Sequence, residues 1–144
     1  MKRTILVYIS FLFAALSLNA QDQQDLVGDC ALGIGGNTTY LKDFVIKLPE
    51  ASGQSDIPVY KANIYLMKKQ KYLFTQCNAD DSEGQLIIEL YDENNMIISS
   101  LNQKNAKVYP SLEFACNKTG LYTIWYKFKD GKKGMGVGIV SLLK

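Results

Sequence analysis

From residue 59 onward the chain is a succession of short stretches in which apolar and polar residues alternate, each closed by a polar turn cluster. A period of two puts successive side chains on opposite faces of an extended strand, so this pattern specifies half-buried β-strands. Val59 to Met67 places Ala62, Ile64 and Leu66 together. After the polar break Lys68 to Lys71 comes a short strand, Tyr72 to Cys77. Gln85 to Tyr91 gathers Leu86, Ile88 and Leu90 on one side and Ile87, Glu89 and Tyr91 on the other. Met96 to Leu101 follows, then Leu112, Phe114 and Cys116 on a shared face. In Leu121 to Lys129, Tyr122, Ile124, Tyr126 and Phe128 share a side, and Trp125 belongs to the opposite set with Thr123 and Lys127. The breaks at 78–84 (NADDSEG), 92–95, 117–120 and 130–134 are rich in Asp, Asn and Gly, the residues that build tight turns. Tyr40 to Leu48 alternates as well, interrupted by Lys42 and Lys47, and Pro49 to Pro58 reads as a loop. No stretch sustains a helical stripe beyond two turns. About seven or eight strands with only one apolar face each predict an all-β fold, two antiparallel sheets packed as a sandwich.

The last strand, Met135 to Leu143, carries an unusual face. Gly134, Gly136 and Gly138 fall on one side, while Met135, Val137, Ile139 and Leu143 fall on the other. A strand with a bare face lets another backbone or a large ring approach closely, and Trp125 or a neighbouring tyrosine is expected to lie there.

The N-terminus has different chemistry. In MKRTILVYISFLFAALSLNA, Lys2 and Arg3 precede an apolar run from Ile5 to Leu18 and a small-residue end at Asn19-Ala20. This is the layout of a secretory signal peptide, with cleavage expected after Ala20. The run falls short of the ~20 residues that span a bilayer, so no stable membrane insertion is expected after cleavage. No cysteine follows it to take a lipid. The expected organisation is a signal peptide at 1–20, a flexible polar lead-in at 21–29 and a β-sandwich at 30–144, exported to the periplasm or beyond the cell.

Removing 20 of the 144 residues leaves 124, one domain's worth. What remains has fourteen lysines against fourteen acids, no arginine, and no histidine. A neutral surface without guanidinium groups argues against nucleic-acid binding. Without histidine, the commonest catalytic base and metal ligand is missing, and a Ser-His arrangement is impossible. Three cysteines remain, Cys30, Cys77 and Cys116. In an oxidising compartment one disulfide plus one leftover thiol is expected. Three pairings are open; Cys77–Cys116 is favoured because each ends an apolar strand before a polar turn. Cys30 then either ties down the N-terminal arm or stays free. No C-x-x-C spacing is present for redox chemistry.

Three segments together resemble a known group. Asn63 to Phe74 (NIYLMKKQKYLF) looks like an entry strand, turn and "Y-x-F" strand. Leu86 to Ile98 (LIIELYDENNMII) resembles an "L-x-L-x-D-x-x-G" hairpin, and Leu112 to Ile124 (LEFACNKTGLYTI) a strand, a "T-G-x-Y" turn and the next strand. These resemble the bacterial pre-peptidase C-terminal domain group, small secreted jelly-roll-like sandwiches commonly appended to hydrolases. The resemblance implies a jelly-roll-like fold and a non-catalytic role in substrate contact, secretion or domain packing. It carries over no active site. The 144 residues contain no protease domain, and Asn94-Asn95 stands where the group has a turn glycine.

Candidate sites are few. Asp80, Asp81 and Glu83, or Asp92, Glu93, Asn94 and Asn95, offer oxygen ligands, but neither run has the twelve-residue EF-hand spacing, so solvated turns are expected and neither metal nor cofactor is called for. The glycines at 33, 35 and 36 lack the G-K-S/T end of a phosphate loop. Glu89 and Glu113 lie mid-strand; a glycosidase would need them ~5–9 Å apart. Tyr122 and Tyr126 share the apolar face and are expected in the core. Trp125, flanked by Thr123 and Lys127, is the best candidate for an exposed binding ring. The expected function is therefore a non-catalytic accessory or protein-interaction domain of the cell envelope. The alternatives are a carbohydrate-binding module or a small glycoside hydrolase using Glu89 and Glu113.

Overall fold

The computed structural model describes residues 22–144, and the expected signal peptide at 1–20 lies outside them. In chain order the strands are β1 (Thr38–Leu48), β2 (Tyr60–Leu66), β3 (Lys71–Asn78), β4 (Leu86–Asp92) and β5 (Asn95–Ser99). Next come β6 (Leu101–Asn102), β7 (Lys107–Val108), β8 (Ser111–Ala115), β9 (Gly120–Phe128) and β10 (Gly134–Leu143). Four form one sheet in the order β1-β10-β3-β8, and four form a second in the order β2-β9-β4-β5. Every neighbouring pair is antiparallel. Outermost strands pair first: β1 with β10, β2 with β9, β3 with β8 and β4 with β5. The chain is thus one long hairpin wound over two sheets, an all-β sandwich of jelly-roll topology.

Among the described residues the strands number ten rather than seven or eight. The two extra ones, β6 and β7, are two residues each and pair only with each other inside the polar link between β5 and β8. Two residues are too few to show an alternation: in sequence Leu101 runs on from Met96, and Lys107–Val108 reads as part of the polar link.

Alternation places the core. The first sheet contributes Phe44, Ile46, Tyr72, Phe74, Phe114 and Val140; facing them are Leu66, Leu86, Ile88, Leu90, Ile124 and Tyr126 of the second sheet. The bare face of β10 points into this core. A side chain at Gly138 would meet the Tyr126 ring, one at Gly134 the Phe128 ring, and one at Gly136 the Cys77 carbonyl and Leu86. The rings over the glycines are therefore Tyr126, the tyrosine next to Trp125, and Phe128, not the tryptophan.

The segment expected as a flexible lead-in at 21–29 is instead helical over residues 22–32, here α1. Leu26, Val27, Cys30 and Ala31 are spaced to form one stripe, and with Ile34 they pack on Val45, Val137 and Ile139. These last three are the outward residues of β1 and β10, so α1 covers the outer face of the first sheet. Three aspartates and Gly28 dilute a short stripe, and a helix this short is held by packing rather than propensity.

The disulfide corrects a second expectation. Cys30 bonds Cys77, with a Cα–Cα distance of 5.8 Å, and Cys116 is a buried free thiol. Tyr72, Phe74 and Gln76 of β3 point inward, so Cys77 points outward beneath α1. Cys116 continues the inward set of β8 and lies in the main core, where its Sγ donates to the Lys118 carbonyl at 3.2 Å. Cys77 and Cys116 thus belong to opposite faces of one sheet and cannot be bridged. Position at a strand end suggested the pairing; facing decides it.

Candidate functional site

The outer face of the second sheet has no helix over it among the described residues, and it holds all three residues expected to form a binding surface. β9 lies between β2 and β4. Tyr122, Ile124, Tyr126 and Phe128 fill the core, so Leu121, Thr123, Trp125 and Lys127 face outward. Register brings neighbours to each. Trp125 sits between Lys61 of β2 and Glu89 of β4, Thr123 between Asn63 and Tyr91, and Leu121 beside Tyr65.

Trp125 is half-buried rather than open. The Tyr91 ring stacks on it with centroids 4.4 Å apart and planes at 27°. From the opposite flank, the Lys61 ammonium stands 3.9 Å from the indole centroid. Stacking and cation–π attraction fix the ring between its two neighbours. Lys127 pairs with Glu89 at 2.7 Å, and the Tyr91 hydroxyl donates to the same carboxylate at 3.0 Å. Glu89 is only 6% exposed, so these two partners compensate a carboxylate taken out of water. Burial first, then the hydrogen bond and charge of Glu89, push the Tyr91 hydroxyl up to about 12. Thr123 Oγ1 donates to Asn63 Oδ1 at 3.1 Å.

Beyond this polar cluster the face turns apolar. Tyr65 is 65% exposed and Leu121 60%, side by side across β2 and β9, and Met96 lies beside Tyr91. Exposed apolar side chains thus gather on the outer face of the second sheet. The alternation already placed Trp125, Thr123 and Lys127 together. It did not reveal Lys61, Asn63 and Tyr65, because their proximity depends on strand pairing.

The proposed hydrolase pair does not form. Glu89 is on the outer face of the second sheet, whereas Glu113 is exposed on β8 of the first, between the inward-packed Leu112 and Phe114. Stacked sheets stand ~10 Å apart, and these side chains leave opposite sides of the sandwich. The acidic turns are engaged with lysines: Asp92 with Lys118 at 3.2 Å and Glu83 with Lys133 at 3.0 Å. A groove of about 610 Å³ between α1 and the turn after β3 is lined by Asp22, Asp25, Asp29, Asp80, Asp81 and Lys47. Among the described residues, no three acidic, cysteine or histidine side chains are grouped to hold a metal ion. No helix among them is long and apolar enough to cross a membrane.

No protein-family model matches the chain, and no curated protein matches it.

Proposed function

We propose that this chain is an exported, non-catalytic accessory domain that binds a protein of the cell envelope through the outer face of its second sheet. The observation that carries this reading is the asymmetry of the sandwich. One outer face is covered by a disulfide-tethered helix, while the other presents Tyr65, Leu121 and Met96 around the Trp125 cluster. The signal-like N-terminus and the disulfide support export. The resemblance to pre-peptidase C-terminal domains supports a non-catalytic, assisting role.

Carbohydrate binding is the second reading. It rests on the exposed Tyr65 ring beside the polar Asn63 and Thr123, since both flanks of Trp125 are already occupied.

The test is mild cross-linking and co-purification of the mature protein from envelope extracts, beside Leu121→Glu. The expected result is one reproducible protein partner, lost with Leu121→Glu while circular dichroism and the disulfide are unchanged. Recovery of polysaccharide without protein selects the second reading. Neither partner with wild type, or full retention by the variant, overturns the proposed surface.

A further inference from the structure

The two sheets have four edges: β1 and β8 in the first, β2 and β5 in the second. An edge strand presents unpaired N–H and C=O groups to any extended chain, and folded proteins blunt such edges with bulges, short strands, proline or charge. Three of the four are blunted here. β1 carries a register shift between Tyr40 and Lys42. β5 has only five residues and a shift against β4. β8 also has five residues, and Pro110 immediately precedes it.

β2 has none of these protections. Its seven residues, YKANIYL, run in unbroken register with β9 and contain no proline. The one charged side chain, Lys61, is drawn over Trp125 on the β9 side, away from the free edge. Among the described residues, no backbone hydrogen bond from another segment reaches β2 on that side.

We infer that this edge pairs antiparallel with β2 of a second copy of the chain, joining the two second sheets into one continuous sheet across a two-fold axis. The strand is complementary to itself. Only one antiparallel register overlaps all seven residues, that in which Tyr60 faces Leu66 and Asn63 faces Asn63 of the second copy. In it, inward residues meet inward residues, with Tyr60 against Leu66 and Ala62 against Ile64. Outward residues likewise meet outward ones, with Lys61 opposite Tyr65, its ammonium still turned back over Trp125. The two Lys61 residues are then four positions apart, about 13 Å along the strand at ~3.3 Å per residue, beyond the Debye length of ~8 Å at physiological salt. The contact is isologous and closes at two copies. A seven-residue strand pair buries less than the ~1,200 Å² of a standard interface, so the dimer depends on concentration.

Sedimentation velocity of the mature protein, from micromolar to millimolar concentration, tests this. Wild type is expected to shift from the mass of one chain to twice that mass. Asn63→Lys sets two ammonium groups against each other at the axis and is expected to abolish the shift. Ile97→Lys, on the exposed edge of β5, is expected to leave it intact; circular dichroism checks that both variants are folded. A wild type that stays at one chain's mass overturns the inference. So does Asn63→Lys that still dimerises, or Ile97→Lys that dissociates the dimer equally.

Discussion

Gly138 shows how closely the two sheets of this sandwich approach. A Cβ at that position would overlap the ring of Tyr126, which is fully buried and packs against Phe44 with centroids 5.7 Å apart. Tyr60 also flanks Tyr126, with centroids 6.2 Å apart, so the ring is packed between two others. Gly138→Ala is therefore an overpacking substitution, expected to cost roughly 1–3 kcal/mol in urea denaturation. Gly120→Ala is its control, because nothing lies within 4 Å of a Cβ there. Equal stabilities for the two variants would contradict this account of the bare face of β10. Glu89 gives the contrasting case of a residue whose chemistry depends on its setting. In sequence it is an outward glutamate on a half-exposed strand. In the fold it is buried against Lys127 and Tyr91, a fixed charge at the centre of a sheet surface.

At the scale of elements, the informative unit is α1 with its tether. The helix contributes only a few apolar side chains to the outer face of the first sheet. The Cys30–Cys77 bond closes a loop with a sequence separation of 47, which removes freedom from the unfolded chain. The paired substitution Cys30→Ser with Cys77→Ser is expected to lower stability by roughly 2–4 kcal/mol. Amides of residues 22–32 are then expected to exchange faster than those of β9, because the helix loosens before the sandwich opens. Unchanged protection in α1 would show that packing alone holds it. In the oxidised wild type, alkylation after denaturation should label Cys116 and no other cysteine. Strand β10 likewise has two faces that differ in kind. Its glycines admit rings from the second sheet, and its Val137 and Ile139 receive the helix.

For the molecule as a whole, the titratable groups predict a plain pH profile. No histidine is present, so no side chain of ordinary pKa changes charge between about pH 5 and 8. At the alkaline end Tyr40, Tyr91 and Tyr122 are each raised to about 12, first by burial and then by hydrogen bonds to Asp43, Glu89 and Cys116 respectively. Tyr126 is raised further, chiefly by burial. A folded pKa above the unfolded value of ~10 means the folded state holds its protons longer. The stabilisation is then complete below pH ~10 and is lost as pH rises through about 12. Urea midpoints are expected to be level through neutrality and to fall above pH ~10, with tyrosinate absorbance appearing as the protein unfolds. A midpoint that moves between pH 6 and 8 would contradict the profile. Alternation and turn chemistry are local properties, and so the sandwich, the inward tyrosines and the outward set of Trp125, Thr123 and Lys127 could be read along the chain. Pairing is a long-range property. Two strands with the same alternation are interchangeable until packing assigns each to a sheet, an order and a facing. That assignment separated Glu89 from Glu113, turned Cys77 away from Cys116 and towards Cys30, and laid Lys61 and Tyr91 against Trp125. It also gave residues 22–32, whose apolar stripe is short and diluted by aspartates, an apolar sheet face to fold against.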